Sequence, residues 1–76
     1  MMPIAFANEG EKLKIIEIQG GGNFSKRIAE MGIYPGALIR VVVNQGKGPI
    51  IIVSNDTKVA LGRGMAMKII GEPFKG

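Results

Sequence analysis

Leu38-Ile-Arg-Val-Val-Val-Asn-Gln-Gly-Lys-Gly-Pro-Ile-Ile-Ile-Val53 places two apolar, β-branched runs on either side of a glycine-rich turn. Side chains alternate between the faces of a strand. Ile39, Val41 and Val43 therefore share one face, and Arg40 and Asn44 take the other. Gln45-Gly-Lys-Gly48 turns the chain into Pro49–Val53, and the two runs predict a β-hairpin.

Downstream, a second turn at Ser54-Asn-Asp56 leads into Thr57-Lys-Val-Ala-Leu61. Beyond Gly62-Arg-Gly64, residues Ala66 to Ile70 predict a last strand, with 71–76 expected as a loose tail. Upstream, Leu13-Lys-Ile-Ile-Glu-Ile18 predicts the first main strand. The adjacent Ile15 and Ile16 require either two apolar faces or a bulge that shifts the register.

Between these strands, Gly20-Gly-Gly22 closes the first and Asn23 is placed to cap a helix of about two turns. Phe24, Ile28 and Met31 recur at i, i+4 and i+7, a spacing that turns one helical face to a core, while Lys26, Arg27 and Glu30 face water. Gly32 is a left-handed stop, Ile33 covers the last turn, and Tyr34-Pro35-Gly36 makes a tight turn into the hairpin. Short strands joined by compact glycine turns, with one short helix, predict an all-β fold: a small SH3-like barrel of about five strands. A chain of 76 residues holds a single domain, here 1–76.

Composition narrows the chemistry. Histidine and cysteine are both absent, which removes the commonest general base, the soft metal ligands and the thiol nucleophile. A domain this short buries only about 60% of its unfolded surface and leaves little stability for a strained catalytic pocket. The expectation is therefore not an enzyme. The carboxylates Glu9, Glu11, Glu17, Glu30 and Asp56 fall at no recognisable ligand spacing, so neither a metal site nor a cofactor is expected. Gly20-Gly-Gly-Asn-Phe-Ser-Lys26 precedes a helix as a phosphate loop does, but no glycine precedes Lys26 and Arg27 replaces the hydroxyl residue. Without cysteine, and with Met1 to Ala7 lacking a basic leader and a long apolar run, a reducing cytoplasm is expected. No apolar stretch approaches the roughly 20 residues that span a bilayer, so no membrane insertion is expected.

Ten basic against six acidic residues give a net charge of +4. A nucleic-acid-binding barrel would use Lys14, Lys26, Arg27, Arg40, Lys47, Lys58, Arg63 and Lys68 on a phosphate backbone. These charges are scattered along the chain, and one tyrosine with three phenylalanines supplies few stacking platforms. Nucleic acid is thus an alternative and not the expected partner.

Arg27-Ile-Ala-Glu-Met-Gly-Ile-Tyr-Pro-Gly36 resembles the signature RLAEMGI-x-PG of the ferrous iron transport protein A family, FeoA. The resemblance extends to Pro3-Ile4, Gly10, Gly20-Gly21-Gly22, Gly48-Pro49 and Ala60-Leu61-Gly62-Arg63, and so covers nearly the whole chain. It departs at Asn8-Glu9-Gly10, where proline often stands, and at Gly62-Arg63-Gly64, which is richer in glycine. The resemblance implies a cytoplasmic SH3-like barrel that assists the membrane ferrous iron transporter FeoB, a protein with a GTP-binding domain. The same domain type resembles the C-terminal module of iron-dependent repressors, so an isolated repressor domain is a second alternative. For the docking role, the exposed helix flank and following turn nominate Lys26, Arg27, Glu30, Tyr34 and Pro35. Arg63 completes the set, in a region that its flanking glycines are expected to loosen by raising its conformational freedom. Self-association through exposed barrel edges is also open.

Overall fold

Residues 1–75 are described in a computed structural model. Strand β1 (Met2–Pro3) leads into a single 3-10 turn, Ile4–Phe6, and then β2 (Lys12–Ile18) and helix α1 (Gly22–Glu30). The hairpin strands are β3 (Leu38–Val43) and β4 (Ile50–Ser54), followed by β5 (Thr57–Leu61), a one-turn helix α2 (Arg63–Ala66) and β6 (Ile69–Pro73). All pairings are antiparallel, in the order β1-β6-β2-β3-β4-β5, so β1 and β5 are the sheet edges.

The hairpin forms where expected. Ile39 and Val41 are buried and Arg40 is exposed, but the register shifts between Val41 and Val43, so Val42 and Val43 are both half-buried. The doublet Ile15-Ile16 resolves as a bulge: the β2–β6 register shifts between Ile15 and Glu17, and Ile15 alone is fully buried. Leu13, Ile15, Ile28, Ile33, Val41, Ile50, Ile52, Leu61 and Ile69 form one wholly buried core contributed by every strand from β2 to β6, by α1 and by the segment that follows α1.

Several expectations are corrected. Strand β1 was not foreseen; Met2 and Pro3 pair with Gly71 and Ile70. The last strand begins at Ile69 and runs to Pro73, and Phe74 N–H donates to Lys12 O at 2.9 Å, so the expected loose tail is ordered over 71–74. Residues 63–66, read as turn and strand, form α2 instead. Gly21, not Asn23, occupies the N-cap of α1, with no side-chain cap bond.

The end of α1 follows its sequence signal closely. Gly32 N–H donates to Ala29 O at 2.9 Å and Ile33 N–H to Ile28 O at 3.2 Å, the paired bonds of a Schellman motif with glycine at φ +88. Ile28 and Ile33 are both fully buried, which supplies the apolar contact that accompanies this stop. Met31, placed on the core face by its spacing, instead caps the helix and is 40% exposed. Ile33 takes the core position because the left-handed glycine reverses the chain one residue later. Tyr34 O then accepts from Ala37 N–H at 2.9 Å, and Gly36 at φ +94 gives the proline-glycine turn the geometry of type II.

Candidate docking surface

Helix α1 buries Ile28 completely in the core and packs Phe24 half-buried against it. Its outer flank carries Lys26, Arg27 and Glu30, all exposed, and the following turn adds exposed Tyr34 and Pro35. These predicted contact residues therefore lie on one helix and the turn that leaves it, available to a partner.

Arg63 behaves differently. The first residue of α2 reaches back to the N-terminal turn, donating from Nη1 to Ala5 O at 3.3 Å and from Nη2 to Asn44 Oδ1 at 3.0 Å. Its Nε is buried without a hydrogen-bond partner among the described residues. The conformational freedom expected from Gly62 and Gly64 is thus corrected: tertiary acceptors hold the side chain. Arg63 thus ties α2 to the N-terminal turn while remaining half-buried.

Asn44, assigned to an outward face by alternation, is the centre of this network. Its Nδ2 donates to Ala5 O at 2.9 Å and Ala7 O at 2.8 Å, and its Oδ1 also accepts from Gly46 N–H at 3.3 Å. Its own backbone N–H donates to Glu9 Oε2 at 2.9 Å. The register shift near the end of β3 is what turns this residue inward.

Fixing α2 here has a consequence for the surface. Between α1 and α2 runs a groove of about 450 Å³, lined by Phe24, Arg27, Met31, Gly64, Met65 and Lys68. Its floor is apolar and adaptable, because methionine side chains repack readily around an incoming group. Its rim is basic; Lys68 Nζ sits 5.2 Å from the centre of the Phe24 ring, in cation–π contact. Sequence reasoning found the Arg27 side of this groove and missed the α2 side. The doublet Met65-x-Met67 followed by Lys68 was the available signal, but without α2 nothing placed it opposite α1.

Among the described residues no group of three or more carboxylates stands close enough to hold a metal ion, and no helix is long and apolar enough to cross a membrane.

Known proteins place this geometry. Residues 2–73 match the FeoA domain. A chain named as Fe(2+) transport protein A in Methanocaldococcus jannaschii is 43% identical over 72 residues, covering 95% of this chain and 87% of its own. A crystal structure of an iron uptake regulatory protein, FeoA, superposes with a TM-score of 0.91 at 32% identity, covering 96% of this chain and 97% of its own. The zinc complex of Stenotrophomonas maltophilia FeoA, described as a prokaryotic SH3 domain protein, shares the fold with a TM-score of 0.80 at 18% identity, over 95% of this chain and 91% of its own. With the helix stop, the turn and the SH3-like sheet all in place and the match running from Met2 to Pro73, this chain belongs to the FeoA family.

Proposed function

We propose that this domain is a cytoplasmic, non-enzymatic accessory of ferrous iron uptake that docks on the membrane transporter FeoB and modulates its assembly or nucleotide-linked activity. Family membership supports the iron-transport role. The observation that carries docking is the outer flank of α1: Lys26, Arg27, Glu30, Tyr34 and Pro35 are exposed beside a methionine-lined groove, and none of them takes part in the side-chain network that holds α2. A rim of charge around an apolar floor is the usual anatomy of a protein interface.

The test is calorimetric titration of the chain into full-length FeoB in nanodiscs, with and without guanine nucleotide. Saturable binding is expected, weakened about tenfold by Arg27→Glu because a reversed rim charge meets the same partner surface. Binding unchanged by that reversal would move the contact off α1, and no binding in any nucleotide state would remove the docking role.

A further inference from the structure

Strand β5 is an open edge, and the turn before it determines which of its backbone groups are free. Asn55 and Asp56 take φ values of +51 and +63 between the paired Ser54 and Thr57, which is a two-residue type I′ hairpin. Such a turn is closed by a hydrogen-bonded pair, and bonded and non-bonded pairs then alternate along an antiparallel ladder. Ser54–Thr57, Ile52–Val59 and Ile50–Leu61 are accordingly the bonded pairs. Lys58 and Ala60 direct their N–H and C=O groups away from β4, and among the described residues no other strand or backbone bond reaches them.

Beside this edge, between it and the C-terminal end of α1, lies a groove of about 540 Å³ whose lining includes Glu30, Met31, Lys58, Val59 and Ala60. It is a different surface from the α1–α2 groove, which it meets only at Met31. A strand added to β5 would place the residue opposite Val59 on the core side, toward this groove, and its neighbours on the outer face beside Lys58 and Ala60.

We infer that the β5 edge is a strand-addition site for an extended peptide that presents one apolar side chain to the groove and an acidic side chain to Lys58. Charge selects the acid: Lys58 is exposed on the outer face, in a chain of net charge +4. The groove selects the apolar residue, since Met31 and Val59 form its walls. A second copy of this chain is a poorer occupant. Paired β5 to β5, it would bring two basic chains together, and its core-side residues Val59 and Leu61 are already buried in their own barrel and cannot fill the groove. The inference goes beyond the docking role proposed above and does not depend on FeoB being the partner.

The probe is a capped seven-residue peptide alternating valine with aspartate and glutamate, titrated to millimolar concentration into the isotope-labelled chain and followed by NMR. In the free chain the Lys58 and Ala60 amides should exchange rapidly and the Val59 amide slowly. With peptide, protection should appear at Lys58 and Ala60, and the Met31 methyl should shift. Lys58→Glu should weaken binding about tenfold and transfer the preference to the lysine-substituted peptide. Ala60→Pro should abolish binding while keeping the fold, because that N–H serves no bond within the sheet. Should Ala60→Pro fail to fold, N-methylation of the peptide's central amides removes the same bonds from the other side. Protection that appears with protein concentration alone would show a second copy on the edge and overturn the inference. Shifts confined to the α1–α2 groove, or no binding, would overturn it as well.

Discussion

Gly32→Val should lower the melting temperature by about 15–25 °C, read from the far-ultraviolet circular dichroism of the purified chain. Position 32 has φ +88, where a β-branched side chain is strained by about 1–2 kcal/mol. A Cβ there would also stand 3.2 Å from Ser54 Oγ and 3.3 Å from Asn55 Nδ2. Ser54 is buried, and its hydroxyl donates to Gly32 O at 2.7 Å, so relieving the contact breaks a bond worth about 1 kcal/mol. With the Schellman bonds strained in addition, the loss reaches about 3–4 kcal/mol, a large share of what a domain of this size holds. Gly46→Val is the control. Its φ is +85, yet no atom lies within 4 Å of the added Cβ, so it should show the backbone strain alone. Equal melting temperatures for the two variants would show that the contact with Ser54 contributes nothing.

The stop after α1 is readable in sequence where other features are not, and the reason is that its backbone bonds are local. Gly32 and Ile33 act through bonds to residues three to five positions back, so the pattern Met-Gly-Ile contains nearly all the information that the structure uses. The type II turn at Tyr34-Pro35-Gly36 and the β3–β4 hairpin are similarly local, whereas the doublet Ile15-Ile16 left two readings open and only the pairing of β2 with the distant β6 resolves it as a bulge. Helix α2 is not. Gly62 gives no side-chain cap and two glycines flank Arg63, so local propensity argues against a helix. It forms because Ala66 is buried in the core and Arg63 finds acceptors on residues 58 and 19 positions away. Strand β1 is two residues long and acquires its identity only by pairing with β6.

The candidate surface divides along the same line. Its α1 side is an amphipathic helix, and a 3.6-residue period separates Ile28 from Lys26, Arg27 and Glu30 without reference to anything distant. Its α2 side depends on residues of two separate helices lining one groove, which no periodicity encodes. The freedom expected of the Arg63 side chain fails for the same reason, since glycine neighbours imply freedom only when no tertiary partner is waiting.

The partner that waits for Arg63 is Asn44, and Asn44→Ala should cost about 2–3 kcal/mol, lowering the melting temperature by about 10–20 °C. The side chain uses both amide hydrogens, on Ala5 O and Ala7 O, and its oxygen accepts from Arg63 and Gly46. Truncation leaves Ala7 O without its donor and removes one of two acceptors from a guanidinium whose Nε already has none. Asn44→Asp separates the two effects. It keeps an acceptor for Arg63 and adds an opposite charge, but it sets carboxylate oxygen against two carbonyls that now lie 2.8 and 2.9 Å from an amide nitrogen. It should therefore recover less than half of the loss; full recovery would mean that the cation, and not the two carbonyls, needs this residue. A double-mutant cycle with Arg63→Met should give a coupling of about 1–2 kcal/mol, since both side chains serve one network. Because that network anchors α2, whose Met65 and the following Lys68 line the groove opposite α1, the same substitution should weaken the proposed binding to FeoB well below its melting temperature. Unweakened binding by the folded Asn44→Ala chain would confine the contact to the α1 wall.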